Sequence, residues 1–262
     1  MTDYLIAPTG VREVSLDGSR ASSDGGFVWS DIESPDGETR TILERSRGLS
    51  SGLLNDALEA TLIPKVHVHD RHLLLVTHAL DEAGHLMGLH LIVSSDGLVT
   101  LHIPLNPTLQ KDESVREAEQ VLEEVRARPD IASSPGRLAL RLMEAVADDL
   151  ERLLSSAAKR AGQLDRDLRE GAGESEEMLD PLFAVRRDIV TVQNRFDQTR
   201  EAVQTAIEVA PQLLDDIDGW RALQTRLMRL SYLCRGERDF FDGVLGLYEQ
   251  KINVKMNYAM ER

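Results

Sequence analysis

Residues 216–262 are DIDGWRALQTRLMRLSYLCRGERDFFDGVLGLYEQKINVKMNYAMER, most of the longest proline-free stretch in the C-terminal half of the chain. It contains no proline and is filled with strong helix formers, so it predicts one helix from Asp216 or Asp218 to Arg262. At about 1.5 Å per residue such a helix is roughly 70 Å long, more than a compact domain of this size needs. Apolar residues recur at Leu223, Leu227, Leu230, Cys234, Phe241, Leu245, Tyr248, Ile252, Met256 and Ala259, mostly three and four apart, which is a coiled-coil-like seam. A gap at Glu237 and the glycines Gly236, Gly243 and Gly246 loosen it, each glycine costing about 1 kcal/mol against alanine. Two uses of the seam stay open: packing on preceding helices of the same chain, and self-association, for which the uncovered last two turns argue.

Two more long helices precede this one. Pro135, at an N1-like position after Ser134, opens a helix to about Glu170, ended by Gly171-Ala172-Gly173-Glu174-Ser175. Asp180 as N-cap with Pro181 at N1 opens the next, through Phe183, Ile189 and Phe196 to about Glu208. Further upstream the texture changes, with Gly, Pro, Asn and Asp punctuating short β-branched or Leu-rich runs. Phe27–Trp29, Val66–His69, Leu73–Ala79, Leu86–Val93 and Leu98–Ile103 read as strands. The last three form an antiparallel meander through the turns Asp81-Glu82-Ala83-Gly84 and Ser95-Asp96-Gly97. Helices are expected over Ser50–Ala60, with Ser50 or Ser51 as N-cap, and over Glu113–Arg128. The expected organisation is an α/β (α+β) sheet domain at residues 1–108 and a long-helix domain at 109–262.

Composition narrows the function. Among 262 residues, 45 are Asp or Glu and 30 are Lys or Arg, a net charge of −15 that repels phosphate backbones, so no nucleic-acid partner is expected. The single cysteine, Cys234, cannot form an internal disulfide, and Met1-Thr2-Asp3-Tyr4 does not begin a signal peptide, which points to a reducing, cytoplasmic setting. No apolar window is long enough for a membrane span. There is no phosphate loop, no Gly-x-Ser-x-Gly elbow and no His-Glu-x-x-His helix, Cys234 falls on the apolar seam, and the pairs Asp148-Asp149 and Asp215-Asp216 point to different sides of a helix, so an enzyme is not expected. All seven histidines lie between His67 and His102. His67 and His69 share one face of their strand, where imidazoles can bind zinc, cobalt or nickel, with Asp70 and His72 nearby; ordinary sheet-surface histidines are the competing reading.

Three stretches, in order, resemble the CorA-type divalent-cation transporter family, including its ZntB branch. Leu54-Asn55-Asp56-Ala57-Leu58 followed by Pro64-Lys65-Val66 is similar to the family's Leu-Glu-Asp-x-Leu and Arg-Pro-Lys-Val segment, with Asn55 and Ile63 as departures. Leu182, Arg186, Arg187 and Arg200-Glu201-Ala202-Val203 resemble its middle long helix, and Lys255-Met256-Asn257-Tyr258-Ala259-Met260 resembles the start of its first transmembrane helix.

The resemblance implies a funnel-type homopentamer, with the helix at about 216–262 as its stalk and the missing C-terminal spans as its membrane anchor. An end at that boundary fits a chain cut ahead of the spans, the cytoplasmic domain of an inner or plasma membrane protein. The implied cargo is a divalent cation, Mg²⁺ first and Zn²⁺, Co²⁺ or Ni²⁺ as the alternative, moving passively or with protons along an axis gated by the stalk helices. By position, Asn257 and Met260 resemble pore-lining residues. The family's stalk sensor aspartate falls on Ala222, and its lower pore aspartate falls on Gly246. Asp239, Asp242 and Glu249 on the stalk, with Asp81 and Glu82 in the turn, stand as substitute oxygen ligands, against a reading as solvated surface charges. The rival from another class is a structural or adaptor protein using long coiled-coil-like helices to bind protein partners.

Overall fold

The structure, a computed structural model, describes residues 1–15, 25–80, 85–106, 115–170 and 178–260. Seven strands build one mixed sheet: β1 Thr2–Ala7, β2 Gly10–Val14, β3 Phe27–Ile32, β4 Lys65–His69, β5 His72–Leu80, β6 Leu86–Val93 and β7 Gly97–Pro104. Their order is β2-β1-β3-β7-β6-β5-β4, and every neighbour pair is antiparallel except β3 with β7. The expected meander is present as β5, β6 and β7. The sequence pattern does not predict the strand β1. Tyr4, Leu5, Ile6 and Ala7 are all buried, and a strand covered on both faces carries no apolar-polar alternation to betray it.

Pairing across the sheet sorts its side chains onto two faces. On one, Leu74, Val76, Ile92, Val99, Leu101 and Ile103 pack beneath α1, Gly37–Arg47, and α2, Ser51–Ala57. Asp36 and Thr39 form a capping box at the start of α1, and Gly48 ends it in the left-handed conformation at φ 63°. Arg47 in the last turn reaches Asp3 of β1 at 3.1 Å and so pins helix to sheet. Ser50 caps α2 through the Leu53 N–H, as expected, although the helix ends at Ala57 rather than Ala60. Against the other face lies α3, Arg116–Ala127, which touches β2 and β5 and buries Ala118, Val121 and Val125.

Three long helices follow: α4 Pro135–Arg169, α5 Leu179–Val209 and α6 Ile217–Met260. Asp180 is not the N-cap of α5. It stands inside the first turn, and Pro181 is accommodated there because the first four N–H groups of a helix need no intrahelical acceptor. The expected glycine-rich end of α4 at residues 171–175 lies outside the described residues.

The chain separates into two compact units, Met1–Ala147 with Gln198–Thr225, and Asp148–Asp197 with Arg226–Arg262. In the second unit each helical segment carries a buried heptad stripe: Leu150, Leu154, Ala157, Ala161, Leu164 and Leu168 on α4, and Leu182, Val185, Ile189, Val192 and Phe196 on α5. The stripe of α6 runs through Leu227, Leu230, Cys234, Phe241, Val244 and Tyr248. Its polar flanks tie the segments together, Ser231 donating to Asp197 at 2.7 Å and Arg226 pairing with Asp148 at 2.6 Å. The seam is thus used within the chain as far as Tyr248, with Val244 buried in place of the half-buried Leu245. Beyond it Met256 is exposed, as are Tyr232, Leu233 and Phe240 on another flank.

Candidate functional site

Strand β4 is the edge of the sheet, antiparallel to β5 alone, with His67 opposite Leu74 and His69 opposite His72. Because Leu74 faces α1 and α2, both imidazoles emerge on the helix side, against the last turn of α2. There Leu53, Leu54 and Ala57 bury into the sheet and leave the half-buried Asp56 pointing along the edge. His67 Nδ1 and His69 Nε2 each donate to Asp56 Oδ2 at 3.1 Å. The ring centroids are 6.0 Å apart with planes inclined at 55°, so the two nitrogens converge on one oxygen from different directions. These bonds, His67's first, hold the Asp56 carboxyl below the usual carboxylate range. Nearby Lys65, paired with Glu59 at 2.8 Å, adds a positive charge that lowers the Asp56 carboxyl further.

Asp56, His67 and His69 present one ligand atom each, all within 4.8 Å of one another, and they are the only trio of ligating side chains so gathered among the described residues. The sequence singles out both histidines. Asp56 stands there only as part of the Leu54–Leu58 segment, since an eleven-residue separation with an intervening loop says nothing of where a helix end docks.

The remaining histidines have other work. His78 donates to the Thr61 carbonyl and His90 Nδ1 to the Ala57 carbonyl, each at 2.7 Å, satisfying oxygens at and beyond the end of α2 that the helix leaves without partners. Burial pushes the pKa of His90 down to about 4. His102 is fully buried, 2.9 Å from Asp31, and His72 is buried at the start of β5, opposite His69. Neither Asp70 nor His72 joins the trio around Asp56.

The acidic candidates are dispersed. Asp239, Asp242 and Glu249 are exposed on α6, Asp239 lying 3.7 Å from Arg238, and they do not gather with a third ligand among the described residues. Asp81 and Glu82 lie outside the described residues. Asn257 and Met260 are exposed at the end of α6, Met260 at 77%, and Ala222 and Gly246 are exposed as well. Cys234 is buried, its thiol donating to the Ile189 carbonyl at 3.4 Å, and burial raises its pKa to about 11, which fits packing and not nucleophilic chemistry. No helix among the described residues is long and apolar enough to cross a membrane.

Solved structures share the fold. The full-length CmaX protein superposes with a TM-score of 0.83 at 18% identity, covering 99% of this chain and 80% of that one. The complete CorA magnesium transporter from Methanocaldococcus jannaschii gives 0.81 at 15% identity, with the same coverage of 99% and 80%. The ZntB cytoplasmic domain from Vibrio parahaemolyticus RIMD 2210633 gives 0.74 at 12%, with 98% of each chain covered. A search of curated protein sequences gives no match. At these identities the likeness establishes the fold, a sheet domain followed by long helices. The sequence itself goes further: the pattern of the family described as "CorA-like Mg2+ transporter protein" matches residues 24–262, from ahead of β3 to the end of α6. Sheet, helices and sequence pattern agree along nearly the whole length, and the chain belongs to the CorA-like Mg²⁺ transporter family.

Proposed function

We propose that this chain is the cytoplasmic portion of a divalent-cation transport protein, with Mg²⁺ as cargo and Zn²⁺, Co²⁺ or Ni²⁺ as the alternative. The observation that carries the reading is the family match over residues 24–262. Two features support it. The net charge of −15 concentrates divalent cations around an assembly of several copies. On α6, Tyr232, Leu233 and Tyr258 expose 57–68% of their surface on one side of the helix, an apolar flank suited to neighbouring copies of the same helix. In this reading five copies place α6 around an axis, Asn257 and Met260 line it, and tilting of the helices gates the passage. The chemistry is binding and release, with no bond made or broken in a substrate, and membrane attachment comes from spans beyond α6. The adaptor alternative draws on the same exposed flank but leaves the family match unexplained.

The test is transport. Liposomes carrying the full-length protein and an internal Mg²⁺-sensitive dye should take up Mg²⁺ down its gradient, and Zn²⁺, Co²⁺ and Ni²⁺ can be compared in the same format. Liposomes indistinguishable from empty ones for all four ions would overturn the proposal.

A further inference from the structure

The geometry points to a second, separate role for metal: Asp56, His67 and His69 form a three-ligand site within one chain for a borderline d-block cation of the Zn²⁺, Co²⁺ or Ni²⁺ class. The spacing of the three ligand atoms fits one ion. Two ligand atoms on a tetrahedral zinc, with bonds of about 2.0–2.1 Å, lie about 3.3 Å apart. Here His67 Nδ1 and His69 Nε2 are each 3.1 Å from Asp56 Oδ2, so little more than rotamer adjustment brings all three onto one ion. The cation takes the place of the two N–H protons now shared with the carboxylate, and the displaced protons move to the opposite ring nitrogens or to solvent.

Choice of ion follows from the donor set. Two imidazole nitrogens and one carboxylate oxygen suit Zn²⁺, Co²⁺ and Ni²⁺, whereas Mg²⁺ requires oxygen ligands in an octahedron and keeps its waters. The fourth position faces solvent, since His67 remains about half exposed at its side chain, so ions enter without opening the fold. Support for the ligands is already built. The alternation of β4 fixes both rings on one face, α2 is anchored by three buried side chains, and Lys65 is held by Glu59. The site stands apart from the transport reading, because all its ligands belong to one chain and none comes from α6.

The experiment titrates the metal-stripped 262-residue chain with Zn²⁺ against a chromogenic chelator, and separately with Co²⁺ while following visible d–d absorption. One equivalent of Zn²⁺ should bind, with a Co²⁺ spectrum of mixed nitrogen and oxygen ligation, and a hundredfold excess of Mg²⁺ should displace neither. His67→Ala, His67→Gln and Asp56→Asn should each weaken Zn²⁺ binding at least about tenfold, the lower bound seen when even a supporting residue of a metal site is lost. His67 is exposed, so its variants keep the fold, which circular dichroism of the metal-free forms checks. Absence of any Co²⁺ spectrum at millimolar ion, unchanged Zn²⁺ affinity in the His67→Ala/His69→Ala double variant, or equal competition by Mg²⁺ would each overturn the assignment. None of these outcomes bears on Mg²⁺ uptake by the full-length protein, so the two proposals fail independently.

Discussion

His102 Nε2 lies 2.9 Å from Asp31 Oδ1, and the direction of that bond is decided on the far side of the ring, where the Val115 N–H donates to His102 Nδ1 at 2.9 Å. An imidazole that accepts at Nδ1 must carry its proton at Nε2, so His102 donates to Asp31. Thr100 also donates to Asp31 and accepts from the Trp29 indole at 2.9 Å, which makes one buried network joining β3, β7 and the approach to α3. His102→Ala strands the Val115 N–H and opens a cavity, at an expected cost of about 2–4 kcal/mol in urea unfolding. Asp31→Asn costs less, because an amide oxygen still accepts from Thr100 and His102. Equal losses in the two variants would show that the network does not work this way.

A second histidine makes stability depend on pH. His90 is fully buried, with its folded pKa pushed down to about 4, and Nε2 has no hydrogen-bond partner among the described residues. The unfolded ring takes its proton near pH 6.5. Above that value neither state is protonated and His90 adds no pH dependence. Below it the unfolded chain binds the proton first, so stability falls with pH, by about 3 kcal/mol once pH is under 4. Histidine NMR should show one ring still neutral at pH 5, and a His90 ring that titrates at 6 or above would refute the account.

Two glycines should respond to alanine in opposite senses. A Cβ on Gly136 would sit 2.6 Å from the Leu213 carbonyl oxygen and from the Leu214 carbonyl carbon, a backbone approach that cannot yield cheaply. Gly136→Ala is expected to lose about 2 kcal/mol or more. Gly243 lies in mid-helix with nothing within 4 Å of its would-be Cβ, so Gly243→Ala should gain about 0.5–1 kcal/mol by restricting the unfolded chain. Thermal melts of the two variants, read side by side, decide the matter.

Cys234 should be chemically quiet. With a pKa near 11 its thiolate is about one part in a thousand at pH 8, and the sulfur is fully buried besides. A thiol-reactive disulfide dye should label the native chain at least about a hundredfold more slowly than the urea-unfolded chain. Comparable rates would place the sulfur at the surface.

The sequence carried the long helices because their cues are local: proline at an entry, helix formers without interruption, and a three-four repeat that survives in the buried positions Leu223, Leu227, Leu230, Cys234, Phe241 and Tyr248. It also carried the meander, whose short apolar runs lie between turns. The strand β1, buried on both faces, and the helix α1, whose sequence GETRTILERSR buries only Thr39 and Leu43, left weaker traces. At the candidate site the sequence yields two ligands out of three, since the alternation of one strand aligns His67 with His69.

What the sequence determined alone was therefore everything with a period: helices, meander, the shared face of two histidines and the family pattern. Tertiary structure decided the rest. It assigned the apolar seam of α6 to its own chain as far as Tyr248, and it brought Asp56 against the edge strand. The reason is physical: periodicity reports which way a side chain points from its own element. Which element it then meets depends on how buried apolar faces such as Leu53, Leu54 and Ala57 dock, and no local spacing encodes that.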